Sequence, residues 1–199
     1  VKLPKQGILA ELTASERVGV HRYTFSGKEM PHILIDVSSA LGKNKAAEGE
    51  VHVYPEKNEV AGTIRTFGSF AGRYGGEEVY FTARFSQPFS NFGVWSGNQF
   101  FKNQAEVKGD QIGVDLGFRK DGASQLVGLR LGISYVSIEN ARANLEAEAA
   151  SLSFDAVQQK ASQAWEDKLS LIKIEGGTLD QQKIFYSALY RSMQMPTLF

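Results

Sequence analysis

Cysteine is absent from this 199-residue chain. That excludes disulfides, thiolate metal sites and a cysteine nucleophile. It leaves the compartment open, because exported proteins also do without cysteine. An excess of either charge is missing too: 22 Lys and Arg stand against 22 Asp and Glu. A dedicated nucleic-acid binder shows a basic excess or stripe, so no nucleic-acid partner is expected. No apolar run approaches the roughly 20 residues that span a bilayer, and no signal peptide is visible. The chain starts at Val1 rather than Met and stops at Phe199, just after the helix-breaking Pro196. Both ends read as cuts, so a piece of a longer protein is expected, with any targeting signal upstream. What remains is an ordinary globular composition, 42% hydrophobic and 22% charged, enough to bury a sizeable core.

Residues 1–138 read as strands. Val18, Val20 and Arg22 alternate with His21, Tyr23 and Phe25, the period of two of a strand. Ile33 to Val37 is a short branched run. Val51 and Val53 stand before, and Val60, Thr63 and Ile64 after, the turn composition Pro55 to Asn58. Tyr80, Thr82 and Arg84 alternate with Phe81, Ala83 and Phe85, and Ile112, Val114 and Leu116 with Gly113, Asp115 and Gly117. Leu126 to Ile138 reads as one longer strand with Leu129, Leu131 and Ile133 facing one way. Frequent Gly, Asn, Asp and Ser breaks, without helical crossovers, predict an antiparallel β-sandwich rather than a parallel α/β sheet.

After Ile138 the texture becomes helical. Glu139 to Ala150 is rich in Ala, Glu and Leu. Ser153 is a predicted N-cap for a stripe of Phe154, Val157, Ala161, Ala164, Trp165 and Leu169. Gly176-Gly177 breaks the chain, and Thr178 with Gln181 forms a capping box. Ile184, Phe185, Ala188, Leu189 and Met193 make a last stripe. Nothing else in the sequence pairs with it, so this helix is expected to pack on a missing part.

Candidate chemistry is sparse. His21, His32 and His52 are scattered over strands with no metal-ligand spacing, so no metal site is expected. Gly68 to Gly76 lacks the helix and lysine of a phosphate loop and reads as a hairpin loop. Around it lie Arg65, Phe67, Phe70, Arg73 and Tyr74. Rings stack on apolar sugar faces and guanidinium groups bind hydroxyls, so Arg65, Phe67 and Phe70 are the substrate-binding candidates. Asp36, Glu50, Asp115 and Glu139 are carboxylates in principle open to glycoside chemistry, but no spacing pairs them. Glu139, Glu146, Glu148, Asp155, Glu166 and Asp167 read as solvated helix faces. Trp95 and Trp165 read as packing anchors. No catalytic residue is assigned.

Three stretches carry a resemblance: Glu11 to Phe25, Val79 to Phe89, and Gly132 to Glu146 with its Ser137-Ile-Glu-Asn-Ala-Arg-Ala-Asn-Leu145 element. Phe154, Trp165 and Phe185-Tyr-Ser-Ala-Leu-Tyr190 follow in order. Together they resemble glycoside hydrolase family ninety-two, the calcium-dependent exo-acting α-mannosidases, over nearly the whole chain. The resemblance implies a supersandwich-like β-sandwich joined by linker helices to an (α/α)6 barrel. It divides the chain into a sandwich at 1–138, a helical linker at 139–175 and the start of the barrel at 176–199. It also implies an inverting mechanism on terminal mannose of glycans and secretion or periplasmic location. The acid, the base and the calcium ligands would belong to the barrel beyond Phe199, so this stretch alone is expected to be inactive. The family's opening segment, with its Asn-Pro-Phe and His-x-His stretches, would precede Val1. Two alternatives stay open: another sandwich-plus-barrel enzyme such as a disaccharide phosphorylase, or a non-catalytic carbohydrate-binding sandwich.

Overall fold

Strands whose alternate residues are apolar on both faces need cover on both sides. A computed structural model, which describes residues 1–68 and 71–193, supplies that cover. The strands are β1 (Lys2–Leu3), β2 (Ile8–Ala14), β3 (Val18–Phe25), β4 (His32–Asp36), β5 (Lys45–Tyr54), β6 (Glu59–Phe67), β7 (Glu77–Phe85), β8 (Phe89–Ser96), β9 (Gln99–Lys102), β10 (Glu106–Gly109), β11 (Ile112–Phe118) and β12 (Gln125–Ser134). The helices are α1 (Ile138–Glu148), α2 (Phe154–Leu169) and α3 (Leu179–Ser192).

All pairings are antiparallel. A large sheet runs β1-β2-β3-β12-β7-β6-β5-β10, and a small one runs β4-β11-β8-β9. Between them lies the main core, with Val51, Val53, Val60, Phe81, Phe85, Val127 and Leu129 against Val94, Ile112, Val114, Leu116 and Phe118. The β-sandwich expected from the alternation is therefore the fold. The opposite face of the large sheet is covered by α1 and α2, where Val18 and Val20 of β3 meet Leu145, Ala149 and Val157.

Local signals set most boundaries. The β5–β6 hairpin turns at Pro55–Lys57, with Asn58 left-handed at φ 51°. The expected long strand to Ile138 ends at Ser134 instead, because Ser137 caps α1 by accepting the Asn140 N–H at 3.0 Å. Ser153 caps α2 through the Ala156 N–H at 3.1 Å. The α3 capping box is complete: the Thr178 N–H meets Gln181 Oε1 at 2.8 Å, and the Gln181 N–H meets Thr178 Oγ1 at 3.3 Å. Helix α3 has no buried residue. It meets α2 through the Trp165 and Tyr190 rings, 4.5 Å apart, while Leu179 and Ile184 stand exposed. Among the described residues no helix is long and apolar enough to cross a membrane.

Candidate functional site

Helix α1 packs on β12 and β7 and only touches β6. The outward residues beyond it form a polar strip. Period two places Tyr54, His52 and Glu50 of β5 on this face, with Glu59, Thr63, Arg65 and Phe67 of β6 and Glu78, Tyr80 and Arg84 of β7. Register then sets neighbours: Glu59 opposes Tyr54 and Arg84, Thr63 opposes Glu50 and Tyr80, and Arg65 opposes Glu78.

At the helix margin Glu59 is 1% exposed. Arg142 Nε donates to its Oε1 at 2.8 Å and Arg84 Nη2 to its Oε2 at 3.2 Å. Arg84 also reaches Glu146 Oε1 at 2.5 Å. Burial works against the Arg84 charge, but Glu146 and Glu59 outweigh it and raise its pKa. The Arg142 guanidinium lies 5.5 Å from the Tyr54 ring centroid.

Further along the strip, Glu50 Oε2 meets Lys108 Nζ at 2.9 Å, and Glu50 Oε1 lies 2.6 Å from His52 Nε2. Lys108 first, and His52 second, hold the Glu50 carboxyl below its ordinary value, against a partial desolvation. Glu106 Oε2 lies 3.8 Å from His52 Nδ1. Sequence spacing suggested no such grouping. It arises from the cross-strand pair Glu106 and His52, which the sequence does not display. The three side chains come within 4.8 Å of one another in their ligating atoms. The imidazole nonetheless stands between the carboxylates, one on each nitrogen, and Lys108 already shares Glu50. Calcium takes six to eight oxygens. This donor set does not fit it.

At the far end Arg65 Nε meets Glu48 Oε2 at 2.9 Å, and Arg65 Nη2 meets Glu78 Oε2 at 3.5 Å. Its Nη1 donates to the Gly75 carbonyl at 3.4 Å. Thr63 Oγ1 donates to Glu78 Oε1 at 3.2 Å. Desolvation first, and Glu78 second, push the Tyr80 phenol above its ordinary value. Arg65 and Phe67 share one face of β6 and meet over Gly76, whose φ is 87°. A Cβ there would lie 2.9 Å from both side chains, so this turn needs glycine. Lys45 Nζ sits 5.9 Å from the Phe67 ring centroid. Phe70, the third candidate, lies outside the described residues.

The strip can bind and position; it does not hold a free acid and base. Glu50, Glu59 and Glu78 are each engaged by a cation. Of the acidic groups expected to be solvated, Glu148 is mostly withdrawn from solvent, whereas Glu146 and Asp155 stay exposed while pairing with arginines. Glu146 holds Arg84, Glu148 accepts Arg17 Nε at 2.7 Å, and Asp155 accepts Arg22 Nη1 at 3.1 Å. Their helix faces lie on strand arginines, which their own periodicity does not reveal.

Comparison with known proteins gives this surface its context. The model of the glycosyl hydrolase family 92 N-terminal domain matches residues 1–134, and that of the family 92 catalytic domain matches residues 140–199. The chain belongs to glycosyl hydrolase family 92. Among family 92 structures, an inverting mannosidase from Bacteroides thetaiotaomicron is 26% identical with a TM-score of 0.82, over 95% of this chain and 24% of its own. The family 92 glycosyl hydrolase ccman5 is 28% identical with a TM-score of 0.85, over 96% of this chain and 25% of its own. An uncharacterized secreted glycosidase from Arthroderma benhamiae is 27% identical over 96% of this chain and 27% of its own length. The chain thus spans about a quarter of the length of these relatives.

Proposed function

We propose that this chain is the sandwich, linking helices and first barrel helix of an exported, exo-acting α-mannosidase. The enzyme removes terminal α-linked mannose from glycans with inversion. The observation that carries the reading is that one chain matches the family's N-terminal domain and, directly after it, the start of its catalytic domain. The exposed Leu179 and Ile184 of α3 support a partnership with the rest of an (α/α)6 domain, since an apolar helix face needs cover. In this reading residues 1–138 are the sandwich, 139–175 the linker and 176–199 the barrel's opening. We assign the catalytic acid, the base and the calcium to the remainder of the catalytic domain, so residues 1–199 alone have no activity.

An inverting glycosidase sets an acid on the leaving oxygen and a base on water across the ring. The sandwich's part is to bind and orient. Arg65, steadied by Glu48 and Glu78, would donate to sugar hydroxyls at the rim, and Phe67 and Phe70 would stack on its apolar face.

The test uses the full-length protein on α-linked mannobiosides, with the first-formed anomer read by NMR. β-Mannose as first product, lost with chelator and restored with calcium, is expected. Arg65→Ala should lower kcat/KM by about 1–3 kcal/mol of transition-state binding. No mannose release from any linkage would overturn the assignment, and a requirement for phosphate would favour a phosphorylase.

A further inference from the structure

The outward face of the small sheet carries planar side chains laid on glycines. Register aligns Asp36, Gly113, Trp95 and Phe100 in one row. It aligns Leu34, Asp115, Gly93 and Lys102 in the next, and His32, Gly117 and Asn91 in a third. A Cβ at Gly113 would clash with the Trp95 ring, and one at Gly93 with the Phe100 ring. One at Gly117 would meet the Asn91 amide. The bare backbone lets each planar group lie down on the sheet and turn its other face outward. Gly113 and Gly93 are diagonal neighbours, about 7–8 Å apart.

Nothing among the described residues needs this arrangement for packing. Val94, Ile112, Val114 and Leu116 point the other way and fill the core. Phe100 is 54% exposed and Leu34 65% exposed. Polar groups border the rings: Asp36, Asn91 and Lys102, with Asp115 Oδ1 held 2.8 Å from His32 Nδ1. The face mixes two carboxylates with one lysine and an imidazole, and among the described residues no cations cluster on it. Donors and acceptors of mixed sign suit an uncharged polyol, and a lone lysine beside two carboxylates offers nothing to a polyanion or an anionic membrane.

We propose that this face binds an uncharged oligosaccharide chain. Two successive sugars stack their apolar faces on Trp95 and Phe100, and Asp36, Asn91 and Lys102 bind their hydroxyls. The choice of a mannose polymer as ligand rests on the enzyme reading above; the ring platform does not. The face lies on the opposite side of the sandwich from α1 and α2, so it would hold a glycan while the enzyme acts on chain ends.

The test is affinity electrophoresis of the full-length protein in gels containing soluble α-mannan, alongside hydrolysis of an aryl α-mannoside. Trp95→Ala/Phe100→Ala should weaken mannan retardation about tenfold with aryl-mannoside turnover unchanged. Phe100→Ala alone removes an exposed ring from an edge strand and should weaken it less. Equal retardation of wild type and both variants overturns the proposal. So does a wild-type dimer that the Phe100 variant dissolves without losing mannan. Retardation lost in the variants of a protein that hydrolyses no mannoside would keep the face and sink the enzyme reading; intact hydrolysis with equal retardation would do the reverse.

Discussion

The large sheet is covered on one face by the small sheet and on part of the other by α1 and α2, and the two contacts use different chemistry. Toward the small sheet the contact is dry. Phe85, Phe89 and Phe118 cluster with ring centroids 5.4–5.8 Å apart, among valines, isoleucine and leucines. Toward the helices only a small apolar cluster forms, and cations frame it. Arg17 holds Glu148, Arg22 holds Asp155 and lies 4.3 Å over Phe154, and Arg142 and Arg84 hold Glu59. Arg130 donates to the Ala149 and Leu152 carbonyls at 2.9 and 2.6 Å. Apolar burial is non-directional, whereas guanidinium forks fix angles. The dry interface holds the sandwich together. The ionic one fixes how α1 and α2 lie on the sheet and so where the chain leads into α3.

Deleting one large side chain from the dry side is the most damaging way to probe this contrast. Phe118 is fully buried, so Phe118→Ala should cost about 3–5 kcal/mol. Urea unfolding should give the same loss at low and high salt. On the ionic side Glu59→Ala leaves Arg84 and Arg142 facing each other without their shared carboxylate. Both arginines keep partial solvent contact, so the cost falls to about 2–3 kcal/mol. Hydrogen exchange in α1 should speed up more than exchange in β11. A uniform increase across both would erase the distinction between the interfaces.

The dry interface was legible in the sequence and the ionic one was not. Alternation identified β3, β7 and β11 and put Phe81, Ala83 and Phe85 on one side, because a strand's period needs no partner to be seen. Capping at Ser153 and Thr178 is local and was equally plain. Strand β8 shows no clean alternation because Gly93 interrupts its pattern, and the reason for that glycine is a ring contributed by Phe100 of another strand. Arg65 and Phe67 could be read as neighbours on one strand. Their partners Glu48 and Glu78 depend on the β5–β6–β7 register and its bulge between Ala47 and Glu50. Glu59 looked like one more polar residue after a turn. Only the register opposite Arg84, and a helix contributing Arg142, make it the most buried acid described.

Acidity is the mildest probe, and it separates the two faces of a single strand, β3, and its approach. On the helix side Glu148 accepts Ser15 Oγ at 2.6 Å, the Arg17 N–H at 3.0 Å and Arg17 Nε at 2.7 Å. Burial would raise this carboxyl, but these donors outweigh it and hold it below the ordinary 4.5. A folded pKa below the unfolded one means the stabilisation is complete above about pH 4.5 and fades as pH falls through the folded value. On the sandwich side His21, with Nδ1 2.8 Å from the Tyr23 hydroxyl, is pushed below the ordinary 6.5 by burial. As pH falls below about 6.5 the unfolded chain takes up the proton first, so stability declines until the folded imidazole also titrates. Unfolding midpoints measured against pH should therefore fall in two limbs. His21→Gln should flatten the upper limb alone. Glu148→Gln should lower stability near neutrality and make only the lower limb shallower, since Glu50 and Glu11 are also held below the ordinary value. A variant that changed both limbs would mean the two faces titrate as one unit, and the division between a dry and an ionic interface would not hold.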